Sequence, residues 1–485
     1  MPDETHGRPT PRRRMGWMIV SILLGVAASA PAEPADRPLR PEPAPIPFEQ
    51  RQTPYGMVYY YLSPDESFTR WCLGSLRDLG ATHAQALIYW WQHETFGGDY
   101  WRGQYPEDHI GEVYLRKLDL FVDTAHELGI KPSFRLGSFR EWNGRWHPVE
   151  EANSIEAYAE WIGRIATRYR GRIHHYVIGD EENKVFTPTG YDGSARAYME
   201  TFLIPAARAI RQADPDALIS ACAASSSPAT DWQLDLIRLG LPRYADAIAC
   251  NLVYQHLENP WEVQDLMDRA RRAWPQVKFF ANGVGYAENF HGLDDEHQAA
   301  QVAQAMFTLW EMGWDNAPYY LYQFSVTADT RQNFGIARFP DQNQPAAFSQ
   351  AWYAYQAIAQ TFYDRDRLTR PDFAIELEPA DAVPTPDGGR ILLAPSDPYV
   401  SAYVRQGDQL LIYLAYRDLR YPLRGRWNVV VRSSDWGRPQ QIPLREYQHR
   451  LDLPSRAEGD RLIIPDILIS EQPTIITLRR YDDAP

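Results

Sequence analysis

Three cysteines in 485 residues, Cys72, Cys222 and Cys250, are too few and too odd in number for a disulfide framework. Cys222 and Cys250 fall in neighbouring expected strands, so one bridge is conceivable; buried free thiols are the alternative. The chain also lacks a basic stripe. Its formal charge is −14, which argues against a nucleic-acid partner and against anionic membrane surfaces. No set of His, Cys and Asp has zinc-ligand spacing, so neither a metal nor another cofactor is expected. No Gly-x-Ser-x-Gly elbow occurs, and Ser225-Ser226-Ser227 lacks the sharp turn such a nucleophile needs. No glycine-rich phosphate loop follows the first expected strand, which counts against a doubly wound open sheet.

Aromatics, by contrast, are abundant. Sixteen Trp and 29 Tyr exceed what a core needs. Their flat faces suit the C–H faces of sugar rings, although they also fill cores and interfaces. Hydrophobic residues make up 44% of the chain, enough for one large domain and a smaller one. At the N-terminus, Arg12-Arg13-Arg14 precedes the apolar run Met15–Ala28, and Ala30-Pro31-Ala32 offers small residues for cleavage. That is the layout of an export signal, here residues 1–32, and it implies a secreted or periplasmic protein. The run is too short for an ordinary transmembrane helix, so no membrane insertion is expected after cleavage. An uncleaved anchor is the alternative. Residues 33–47 are Pro-rich and read as a linker.

From Phe48 onward, strand-like and helix-like runs alternate. Expected strands are Gly56–Leu62, Ala84–Trp90, Lys131–Leu136, Ile173–Ile178, Ala217–Cys222, Ala247–Val253, Val277–Ala281 and Tyr319–Phe324. Between them lie helical repeats, such as Leu115, Leu118, Val122 and Ala125 within 112–128. Eight such units predict a parallel (β/α)8 TIM barrel over residues 48–369. His174 and His175 open a strand at the barrel's far end and read as structural. From Arg370 the helical period vanishes. Runs such as Tyr399–Val404, Gln409–Tyr416, Trp427–Arg432, Arg461–Ile464 and Thr474–Arg479 alternate with turns. Residues 370–485 therefore read as a small β-sandwich.

The stretch Val177-Ile178-Gly179-Asp180-Glu181-Glu182-Asn183 sets three carboxylates at the C-terminal end of the fourth expected strand. That end is where such barrels carry their catalytic groups. Tyr169-Arg170-Gly171-Arg172-Ile173 leads into it. Gly80-Ala81-Thr82 leads to Trp90-Trp91 and Glu94, and Tyr244-Ala245-Asp246 to Asn251 and Tyr254. Glu296, Gln298 and Ala299 open a helix ending near Gly313. Phe334-Gly335-Ile336 and Pro345 follow the eighth strand.

In order and spacing, this series resembles the clan A glycoside hydrolases, with family 39 and its β-glycosidase relatives nearest. The resemblance covers most of residues 55–365. It implies a barrel enzyme that cleaves β-linked polysaccharide or oligosaccharide with a pair of carboxyl groups. In that family an Asn-Glu pair follows strand four and the Glu is the general acid/base, a role that falls on Glu181. Asp180 stands where relatives carry the Asn that bonds the sugar. The nucleophilic Glu of strand seven maps to Gly283, within Phe279-Phe280-Ala281-Asn282-Gly283-Val284-Gly285-Tyr286, and glycine cannot form a glycosyl-enzyme. Glu288 is the nearest carboxylate downstream.

The two departures are physically compatible. An Asp beside a nucleophilic Glu would bring two negative charges together, whereas beside Gly283 that repulsion is absent. Asp180 thus restores a carboxylate to the site. Trp91, Arg135, Asn251, Tyr254, Asn282, Tyr286 and Gln323 lie near strand ends and are expected to line the sugar cleft with Asp180. Trp90, Trp142 and Tyr322 are further aromatics there. A catalytically inactive carbohydrate-binding or scaffold barrel, serving polysaccharide assembly or export, is the alternative.

Overall fold

The computed structural model describes residues 37–59, 62–63, 65–89, 110–137, 140–142, 145–147, 152–183, 191–224, 229–253, 260–285, 295–320, 335–338, 347–380, 398–416 and 424–482. Its first domain is a closed barrel of eight parallel strands. They are β1 (Tyr55–Tyr59), β2 (His83–Tyr89), β3 (Lys131–Gly137), β4 (His175–Ile178), β5 (Leu218–Ala224), β6 (Ala247–Val253), β7 (Lys278–Gly285) and β8 (Ala317–Tyr320). Each pairs with its sequence neighbour, and β1 closes the ring on β8. The expected TIM barrel is therefore the observed one. β6 has the expected bounds. β7 runs four residues past its expected end, because Asn282-Gly283 reads as a turn and is instead absorbed by a bulge against β6. The expected eighth strand falls partly outside the described residues.

Helices on the outside are fixed by local chemistry. The helix Glu66–Leu79 (α1) starts at Asp65, whose side chain accepts from the Ser67 and Phe68 amides. It ends at Gly80, whose φ of 93° suits a left-handed cap. Cys72, Leu73, Leu76 and Leu79 face the strands. The helices Ile110–Glu127 (α2) and Ala152–Arg168 (α3) follow. Next, Ala195–Tyr198, Met199–Leu203 and Ile204–Ala213 run on as one rod, α4, whose middle segment is π-helical. The π turn lies just before Pro205, which can neither donate an amide proton nor tolerate the carbonyl four residues back. Thr230–Arg238 (α5), Pro260–Ala273 (α6), Asp295–Met312 (α7) and Gln350–Thr361 (α8) complete the ring. No described helix is long and apolar enough to cross a membrane. All three cysteines are buried and free, so Cys222 and Cys250 are not bridged.

The tail forms two antiparallel sheets, of six and four strands, packed around Leu410, Ile412, Leu414, Val429, Ile464 and Ile476. The strand Trp436–Ile442 is hidden in the sequence by Pro439, which sits where the pairing register shifts between Gly437 and Gln440. Leu368–Thr369 already pairs with Val404 and Arg405 of the six-stranded sheet. Residues 37–42 lie along the same domain: Leu39 bridges Tyr481, and Glu42 meets Gln409 and Arg450.

The two domains meet along α7. Phe307 stacks on Tyr413 at 3.6 Å between ring centroids, and Trp310 meets Tyr403 edge-on at 4.9 Å. The Glu311 carboxylate accepts from Ser401 Oγ at 2.6 Å and Tyr403 OH at 3.0 Å, and from Tyr399 and Arg370. Deleting residues 371–485 would expose Phe307, Trp310 and Phe362 together, an apolar patch of the kind that drives association. The truncated chain is expected to aggregate in size-exclusion chromatography. A soluble barrel of unchanged thermal stability that lacks only polysaccharide affinity would instead make the tail a binding module.

Candidate active site

Residues along each strand alternate between the helix layer and the barrel axis. Toward the N-terminal end, Leu218, Ala247, Ala249 and Phe280 form an apolar cluster separate from the helix layer. His175 stacks on Phe280 at 4.0 Å and bonds Ser220 at 2.9 Å. Burial holds its pKa well below the ordinary histidine value. His174 and His175 are thus fixed at the end remote from the acidic cluster.

At the C-terminal end the axis is polar. β4 stops at Gly179, whose φ is 90° and whose missing Cβ would lie 2.6 Å from Glu182 Cγ. The turn closes because Glu182 folds back beneath it. Glu182 is fully buried, its Oε1 accepts from the Asp180 amide at 3.1 Å, and its carbonyl accepts from Tyr191 OH at 2.6 Å. Burial, with the nearby Glu182 charge as a smaller cause, raises the pKa values of Tyr158, Tyr191 and Cys222. Glu182 is therefore the clamp of the turn.

Clamping Glu182 presents its two neighbours. Glu181 takes the left-handed conformation, with φ at 58°, unusual for a residue with a side chain. Such a backbone costs on the order of 1–3 kcal/mol and persists where the surroundings enforce it. Glu181 Oε1 accepts from Asn251 Nδ2 at 2.9 Å. Asp180 pairs with the Arg135 guanidinium. Arg135, 2% exposed, also donates to the Asn282 carbonyl at 3.2 Å. One side chain of β3 thereby ties the ends of β4 and β7 across the barrel mouth.

Asn282 is the bulge residue of β7: Cys250 pairs with Ala281, and Asn251 pairs with Gly283. It is fully buried, and both amide atoms lack a hydrogen-bond partner. No residue from Lys278 to Gly285 carries a carboxyl group. The structure thus brings Glu181, Asp180, Arg135, Asn251 and Asn282 to one end of the barrel. Trp91, Tyr254, Tyr286 and Gln323 lie outside the described residues, as do Trp90, Glu94, Tyr322 and Glu288, and the side chain of Trp142 is not described. Sequence reading missed the division of labour among the three carboxylates. The signal was the Gly-x-x-Glu spacing, in which a residue with no Cβ leaves room for the folded-back Glu182.

No protein-family model matches the chain, and no curated protein does. Solved structures do. The chain is similar to a family 39 glycoside hydrolase from the gut symbiont Bacteroides cellulosilyticus WH2, with a TM-score of 0.60, 14% identity, and coverage of 90% of this chain and 82% of that one. It is similar to a family 39 β-xylosidase from Caulobacter crescentus, with a TM-score of 0.52, 13% identity, and coverage of 92% and 99%. The catalytic domain of a family 30 xylanase C from Talaromyces cellulolyticus matches with a TM-score of 0.52, 10% identity, and coverage of 89% and 97%. The chain has a glycoside-hydrolase-like fold along nearly its whole length.

Replacing Arg135 by Met keeps bulk and removes the charge. Breaking a buried ion pair by removing one partner costs about 3–5 kcal/mol. Chemical denaturation of Arg135→Met should show a loss of that size, partly restored in Arg135→Lys. Unchanged stability would mean that the pair does not brace the barrel mouth.

Proposed function

We propose that this chain is an exported glycosidase of β-linked polysaccharides or oligosaccharides, with Glu181 as general acid and no nucleophile on β7. The observation that carries the reading is the placement of Glu181 at the end of β4. It is held by Asn251, with β7 opposite lacking any carboxylate. Glu181 protonates the glycosidic oxygen as the bond to the anomeric carbon breaks. Asp180, fixed by Arg135, places negative charge beside the developing oxocarbenium ion and orients a water in the space left by Gly283. The unpartnered Asn282 amide supplies a donor and an acceptor to that water or to a sugar hydroxyl. Trp91, Tyr254, Tyr286 and Gln323 complete the sugar cleft. Export through residues 1–32 and the domain limits at 48–369 and 370–485 belong to the same reading.

The missing β7 carboxylate also favours a second reading, a catalytically inactive barrel that binds polysaccharide during its assembly or export. Hydrolysis that depends on Glu181 separates the two. Glu181→Gln keeps the shape and removes the proton. The rate on a natural glycoside should fall by about a hundredfold to ten-thousandfold. Aryl glycosides with good leaving groups should lose less. An unchanged rate on the natural substrate would remove Glu181 from the mechanism, and no activity in the wild type would favour the binding barrel.

The absent nucleophile makes a separate prediction. Incubation with a fluorinated glycoside should leave the intact mass of the wild-type protein unchanged at β7. Labelling of a β7 residue would show an ordinary retaining site. Gly283→Glu should create retaining activity only together with Asp180→Asn, because the two anions otherwise repel.

A further inference from the structure

The N-terminal mouth of the barrel holds a cavity of about 270 Å³, at the end opposite Glu181. Its lining is rich in groups that can only donate. Lys131 and Lys278 are the first residues of β3 and β7, four strands apart in the ring, so their chains approach from opposite sides. Both are half-buried, and among the described residues neither has a carboxylate within ion-pair distance. Trp310 and Trp314 line the same cavity, 1% and 3% exposed, and the indole N–H of each is buried without an acceptor. An ammonium and an indole N–H can donate hydrogen bonds but accept none. His83 and His174 lie beside them, ring to ring at 5.2 Å. At the outer edge, Arg365 and Asp366 are exposed, and Asp315 is engaged with the Phe279 amide at 3.0 Å.

Unsatisfied buried donors are costly, and two ammonium groups facing one hollow repel, with the Asp315 carboxylate offsetting charge on the Lys278 side. One ligand relieves both: a compact anion rich in acceptor oxygens. In a chain of net charge −14, a cationic hollow is not a by-product of overall composition. We propose that this cavity binds a polyvalent oxyanion of the phosphate or sulfate class between Lys131 and Lys278. The electrostatics agree. Burial lowers the Lys131 pKa. Burial, then the charges of Lys131 and Lys278, hold His174 at about 4. A bound dianion reverses the lysines' effect and raises the His174 value.

The test is calorimetric titration of the full chain with inorganic phosphate and with sulfate at constant ionic strength. Saturable binding is expected, weakened about tenfold or more in Lys131→Met and in Lys278→Met and lost in the double variant. Trp314→Phe, which keeps an aromatic side chain and removes the N–H, should weaken it less. Phosphate should raise the wild-type melting temperature by mass action, and that rise should vanish in the double variant. The variants' melting temperatures in anion-free buffer, expected to equal or exceed wild type because a desolvated charge is gone, show that they fold. Glucose 6-phosphate distinguishes the source: binding like inorganic phosphate indicates a phosphorylated saccharide, and exclusion indicates the free ion. Histidine NMR should show His174 titrating at higher pH with phosphate present. No saturable binding up to about 20 mM phosphate, or binding unchanged in the double variant, overturns the proposal.

Discussion

The Arg135 guanidinium is the brace on which the upper end of the barrel depends. It leaves β3 inside the ring, almost wholly out of water, and holds Asp180 beyond β4 and the Asn282 carbonyl on β7. A buried guanidinium is costly unless its donors are used, and here Nη1 and Nη2 are used to join three strands. The bulge that turns Asn282 into the barrel leaves its carbonyl facing that charge. The same brace sets Asp180 in place, and the Glu182 clamp beneath it forces Glu181 into its left-handed backbone. Three consecutive carboxylates thereby receive three environments: an ion pair, an amide donor and a buried turn.

Such a separation of roles is what a glycosidase needs from neighbouring acids, since identical surroundings would make them compete for one proton. It also explains how the chain can carry an Asp at position 180. The Arg135 partner offsets that charge, and the absence of a β7 carboxylate removes the group it would repel. The two domains are joined along α7 through Phe307, Trp310 and Glu311, so the tail supports the helix ring.

The barrel was legible because its strands are short β-branched or alanine-rich runs separated by amphipathic helices. β6 emerged with the expected ends. Asp180-Glu181-Glu182 was legible as a cluster because it follows a strand. What each carboxylate does was not legible, because it depends on Arg135 arriving from β3 and Asn251 from β6, far away in sequence. The length of β7 escaped for a related reason. Asn-Gly is a strong turn signal, and only pairing with β6 converts it into a bulge. The strand through Pro439 escaped because proline is disfavoured in strands unless a register shift accommodates it. The cationic hollow was invisible because Lys131 and Lys278 converge only when the ring closes.

A structure of the protein bound to an intact oligosaccharide tests the central claim most directly. The account predicts the Glu181 carboxyl within about 2.6–3.2 Å of the glycosidic oxygen, hydrogen-bond reach for a general acid. It predicts Asp180 still paired with Arg135 near the anomeric carbon, and only Asn282 and Gly283 facing the sugar from β7. A glycosidic oxygen held by another acid, or an oligosaccharide seated away from the ends of β4, β6 and β7, would contradict it.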